Sequence, residues 1–162
     1  MTILLILAAA AAAPSAVSTD MTEICIPFVR QGASVPDTRA KVIALGLVRK
    51  SSEGEGSNFT DRYTNRRYEV RFGITKAGRR HCAAFDSRAN YAPMLAAAKR
   101  IAAQDPALKI DQRFSTFMIW GSKSFSFSVL DSNDYSENDS IMPGMVIEQQ
   151  TSDWIPGAYS PG

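Results

Sequence analysis

RRYEVRFGITKAGRRHCAAF, Arg66 to Phe85, is the stretch on which the fold turns. Tyr68, Val70, Phe72 and Ile74 fall at every second position, and Arg67, Glu69 and Arg71 fall in between. Successive side chains of a strand point to opposite faces, so this segment reads as a strand with one buried face and one wet face. Lys76-Ala77-Gly78 makes a turn, and Arg79 to Phe85 returns as the antiparallel partner. A hairpin with one solvated side belongs to an antiparallel sheet that is covered on the other side only.

The neighbouring segments supply the cover. Ser34 is an N-cap with Asp37 three residues on, Pro36 sits in the first turn, and Gly46 ends the helix. A second helix spans Tyr91 to Gln104, capped by Asn90, with Met94, Leu95, Ala98, Ile101 and Ala102 along one stripe. Strands are expected at Ile24–Arg30 (an edge or strand end, because Pro27 removes a donor), Leu47–Arg49, Lys109–Trp120, Phe125–Leu130 and Gly144–Gln150. Ser51 to Asn58, SSEGEGSN, reads as a solvated loop, and so does Asp131 to Pro143. The expected fold is α+β, with two helices packed on one face of a mostly antiparallel sheet and the chain falling into two helix-plus-three-strand halves.

The chain of 162 residues is of single-domain size. Ile3 to Ala13, ILLILAAAAAA, is apolar and uncharged, too short to cross a bilayer, and followed by small residues. That pattern reads as a secretory signal peptide over residues 1–18, cleaved after Ser18 or Ala16, although no Lys or Arg precedes the apolar run. The remainder, 19–162, is then one domain with a loosely packed tail from about 151. The expected location is periplasmic or secreted, without a membrane span once the leader is gone. In such a compartment the two cysteines read as a disulfide, Cys25–Cys82, contributing about 4 kcal/mol by loop closure. Translation from Met21 would instead leave a cytosolic chain with free thiols.

His81 and Cys82 are neighbours on a strand, so they point apart and cannot act as a nucleophile–base pair. One histidine and two cysteines do not make a zinc site. Asp131 to Met142 begins like a calcium loop but lacks the central glycine and the final glutamate. No cofactor or metal is expected, and no nucleotide or hydrolase motif occurs, which leans against an enzyme.

The remaining chemistry is basic. Arg66, Arg67, Arg71, Arg79 and Arg80 crowd the hairpin, and guanidinium forks suit carboxylate and phosphate. They form a candidate contact surface for an acidic protein or an anionic envelope ligand. A net charge of +2 argues against nucleic acid. The acidic C-terminal part (Asp131, Asp134, Glu137, Asp139, Glu148, Asp153) is an alternative, internal partner for the same arginines. The expected function is a small exported, non-catalytic binding or accessory protein. The alternatives are a motif-free periplasmic hydrolase or transferase, and an envelope component docking through Trp154, Ile155 and Tyr159.

Overall fold

In the computed structural model, which describes residues 16–113, 117–131 and 142–150, the hairpin lies in the middle of an antiparallel sheet. Its strands are β1 (Val48–Glu55), β2 (Asn58–Thr64), β3 (Tyr68–Ile74), β4 (Arg80–Asp86), β5 (Lys109–Arg113), β6 (Phe117–Gly121), β7 (Phe125–Leu130) and β8 (Gly144–Gln149). Their spatial order is β1-β2-β3-β4-β8-β7-β6-β5. Two sequential four-stranded meanders therefore meet along β4 and β8, where Ala83 stands opposite Val146.

The helical segments are α1 (Ala16–Asp20), a π-helical turn (Met21–Cys25), α2 (Ile26–Arg30), α3 (Val35–Ala44) and α4 (Tyr91–Ala103). The first three run on as one stretch that packs against β4 and β8, while α4 packs on β7 and meets α1. The fold is thus mixed α+β. Among the described residues no helix is long and apolar enough to cross a membrane.

Ile24–Arg30, expected as a strand, is helical. The cause is a stripe that begins earlier: Val17, Met21, Ile24, Cys25 and Phe28 recur at helical spacing and all are buried. Assigning Val17 to a leader hides the start of that stripe. Val17 is 0% exposed and Ser18 is buried, so cleavage after Ser18 would remove a core side chain. The apolar run itself lies outside the described residues.

Each half carries four strands rather than three, for two reasons. SSEGEGSN is not a loop but the end of β1, a turn and the start of β2. An edge strand with both faces wet shows no hydrophobic period, and β1 is exposed almost throughout. Lys109–Trp120, expected as one strand, divides into β5 and β6, which pair with each other.

Helix α3 begins as expected. The Ser34 hydroxyl accepts the Asp37 amide at 3.1 Å, and the helix stops at Gly46, whose φ of +75° suits only glycine. Asn90 precedes α4 without a side-chain cap bond.

The core sits between the helices and the covered face of β2–β4, β8 and β7. Phe72 is its centre, stacked on Tyr63 at 5.9 Å and meeting the edge of Phe28 at 5.2 Å. Cys25 and Cys82 form the expected disulfide beneath the helical stretch, with Cα atoms 5.1 Å apart.

Candidate functional site

The wet face of the sheet can be read in rows from the strand register. One row runs Thr64, Glu69, Phe85, Gly144, Leu130 across β2, β3, β4, β8 and β7. The next runs Arg62, Arg71, Ala83, Val146, Ser128. In these two rows β8 supplies only Gly144 and Val146 while β2 and β3 supply the long Arg62, Glu69 and Arg71, and Ala83, Phe85 and Gly144 are buried. A cavity of about 610 Å³ opens there. Four guanidiniums, from Arg62, Arg66, Arg67 and Arg71, line it against two carboxylates, Glu53 and Glu69. Phe85, Leu130 and Met142 form its apolar side.

Glu69 organises the basic end. It is 1% exposed although it lies on the wet face, because two arginines cover it. Arg62 Nε donates to Oε2 at 2.6 Å, and Arg71 Nε donates to Oε1. Both ion pairs use Nε, so the Nη groups are left for other acceptors. The Arg62 and Arg71 side chains are 44% and 46% exposed. A buried carboxylate thus holds two guanidinium forks side by side, which removes rotamer freedom before any ligand arrives. Arg71 also lies 5.2 Å from the Phe85 ring centroid, joining the basic and apolar parts of the cavity.

Of the five arginines singled out from the sequence, three come together here. Arg67 is held by Asp86 through Nε and Nη2, both at 2.7 Å. That pairing holds the Asp86 carboxyl below the usual carboxylate range. Arg66 is exposed and has no ion pair or hydrogen bond among the described residues.

The other two lie elsewhere. Arg80 faces the helices: Nη1 donates to the carbonyls of Phe28 at 2.9 Å and Ala33 at 2.6 Å, and the guanidinium sits 4.8 Å from the Phe28 ring. It closes the C-terminal end of α2, where orphan carbonyls need donors. Arg79 is half-buried, and its Nε has no hydrogen-bond partner among the described residues. The hairpin alternation explains the place of Arg80, which shares the face of Cys82 while Arg71 lies on the face of His81; Arg79 precedes β4, in the turn.

Arg62 and the three apolar residues are absent from the sequence-based candidates. β2 does alternate, Phe59, Asp61 and Tyr63 against Thr60, Arg62 and Thr64. A charged residue in the inward set disguises the period.

His81 and Cys82 do point apart. Across from His81, Gly73 leaves room for the imidazole to pass over β3 and reach Thr60, Nε2 to Oγ1 3.2 Å. Burial pushes the imidazole pKa down. A Cβ at Gly73 would run into the Phe59 carbonyl oxygen and the His81 ring. Gly73→Ala is therefore expected to cost about 2–3 kcal/mol and to break the His81–Thr60 contact. Urea unfolding and the histidine ring resonances check both outcomes.

Among the described residues, no three His, Cys, Asp or Glu side chains converge as a metal site. Most of the acidic segment, including the calcium-like loop and the aromatic tail, lies outside the described residues. Among the described residues, the carboxylates that meet the hairpin arginines are Glu69 and Asp86, from the hairpin itself. A scan against family models and searches of curated proteins and of solved structures return no match.

Proposed function

We propose that the protein is a small exported, non-catalytic binding or accessory module that takes an anionic ligand on the wet face of its sheet. The observation that carries this reading is the Arg62–Glu69–Arg71 unit at the wall of the 610 Å³ cavity, with the unpaired Arg66 beside it. A cavity of this volume suits a small molecule better than the flat face of a protein partner. The disulfide inside the core favours an oxidising, periplasmic or secreted location. An acid–base role for Glu69 is disfavoured, because each of its oxygens already accepts from a guanidinium.

Titration of the oxidised protein with inorganic phosphate, followed by NMR, tests the reading. The Asn65–Arg71 amides and the arginine Nε–H resonances are expected to shift together. Arg66→Glu is expected to weaken binding at least tenfold with the thermal midpoint unchanged, since Arg66 supports nothing in the fold. Shifts confined to other surfaces, or an undiminished affinity in the variant, would remove the site from the hairpin.

A further inference from the structure

We infer that the ligand is an amphiphilic anion, a carboxylate or phosphate headgroup carrying an alkyl chain, an inference that rests on the anion-binding reading above. The cavity has two chemically distinct ends. At β2 and β3 it is walled by guanidiniums, and toward β7 it is walled by Phe85, Leu130 and Met142. A purely ionic ligand such as a sugar phosphate would leave that second end in contact with water or with unpaired hydroxyls. An alkyl chain covers it.

The backbone shows how the apolar end is shaped: Phe85 is 8% exposed, and Leu130 and Met142 are only partly buried, so the surface left for a chain lies along the latter two. Phe85 lies directly across from Gly144 in the register, and a Cβ at Gly144 would collide with the Phe85 ring. The ring therefore lies against β8 at Gly144. On its far side Leu130 pairs with the same Gly144. In the neighbouring row Ala83 and Val146 are short. Between Arg71 and Leu130, Phe85 is thus the one large side chain that β4 and β8 contribute in these two rows, and neither strand places a charge there. Arg71, 5.2 Å from the Phe85 ring, marks the point where headgroup contacts give way to apolar ones.

The charge and the chain make separable contributions. The headgroup contacts come from Arg62, Arg66 and Arg71, while each methylene laid on the apolar floor removes a fixed area from water. Affinity should therefore rise about fourfold for each added methylene until the floor is covered, and then level off.

Calorimetric titration below the micelle concentration tests this with three series: alkyl phosphates from butyl to dodecyl, fatty carboxylates of the same lengths, and alkyltrimethylammonium ions. The expected result is a fourfold-per-methylene slope for one or both anionic series and no binding of the cationic one. The headgroup that binds tighter at equal length identifies whether phosphate or carboxylate is the natural head. Met142→Ser should flatten the slope while leaving the affinity for inorganic phosphate unchanged, and Arg66→Glu should lower every anion equally. If inorganic phosphate binds but chain length has no effect, the amphiphile inference is overturned and anion binding stands. If no anion binds at all, both fall. Equal binding of the cationic series also overturns it, since the arginines would then contribute nothing.

Discussion

Replacing both cysteines by alanine is expected to lower stability by about 4 kcal/mol, the loop-closure contribution of a bridge between residues 57 apart in sequence. For a chain of this size, that corresponds to roughly 10 °C in thermal midpoint. The bridge does more than shorten a loop. It joins the π-helical turn to β4, the strand along which the two meanders meet, and both cysteines are fully buried. The helical stretch that covers β4 and β8 is built from short segments, each too short to be stable by itself. Losing the link should therefore weaken cover and sheet together. Thermal unfolding of the oxidised wild type and of the double variant checks the size, and intact mass before and after reduction checks the bond. Midpoints within about 2 °C of each other would mean that core packing alone holds the helix in place.

The hairpin was legible because its pattern is complete: period two, a glycine turn, and a return strand. From it the antiparallel class and the opposition of His81 to Cys82 follow, while the disulfide was read from the two cysteines and the expected oxidising compartment. What escaped has physical causes at particular residues. β1 carries no apolar period because it is a wet edge. β2 hides its period because Asp61 occupies an inward place. The N-terminal stripe was missed because Ile24–Arg30 was read by itself as an apolar strand, without Met21 and Val17 one and two turns earlier. The arginines were visible as a cluster, but their division into a clamp (Arg80), a paired set (Arg62, Arg67, Arg71) and an exposed one (Arg66) depends on register. Glu69 is the sharpest case, because the local pattern cannot say that Arg62 on the neighbouring strand and Arg71 two places along its own will together bury it.

Asp61→Asn is expected to cost about 3 kcal/mol near neutral pH. Asp61 is 0% exposed and accepts from three groups: Arg39 Nε at 2.7 Å, Arg49 Nη2 at 2.7 Å and Ser52 Oγ at 2.6 Å. These donors come from α3 and β1, so a single carboxylate ties the outer helix and the edge strand to β2. An amide offers one acceptor oxygen and turns its NH2 toward guanidinium donors, so at least one charge-assisted bond is lost outright. The two arginines are about half exposed and can return to water, which keeps the loss below that of a fully buried pair.

The same substitution should change the shape of the acid limb. Burial pushes the Asp61 carboxyl up, but the hydrogen bonds from Ser52, Arg39 and Arg49 outweigh it and hold the group below its ordinary 3.8. A carboxylate depressed in the folded state adds stability that is complete above the unfolded value and disappears as the pH falls through the folded one. The gap between wild type and Asp61→Asn should therefore be widest above about pH 5 and should narrow below 3.8. Asp86, depressed by Arg67, works in the same direction and is common to both proteins. Asp20 works against them. Burial raises its carboxyl despite the hydrogen bond from Tyr68, so the folded chain takes up that proton before the unfolded chain does and gains stability as the pH falls toward 3.8. Removing Asp61 leaves the Asp20 gain less opposed, so the variant should lose less stability than the wild type as the pH falls through 3.8. Urea unfolding in steps from about pH 7 to 2.5 measures both quantities. A constant gap across that range would show that Asp61 acts through shape and packing, with its charge contributing nothing.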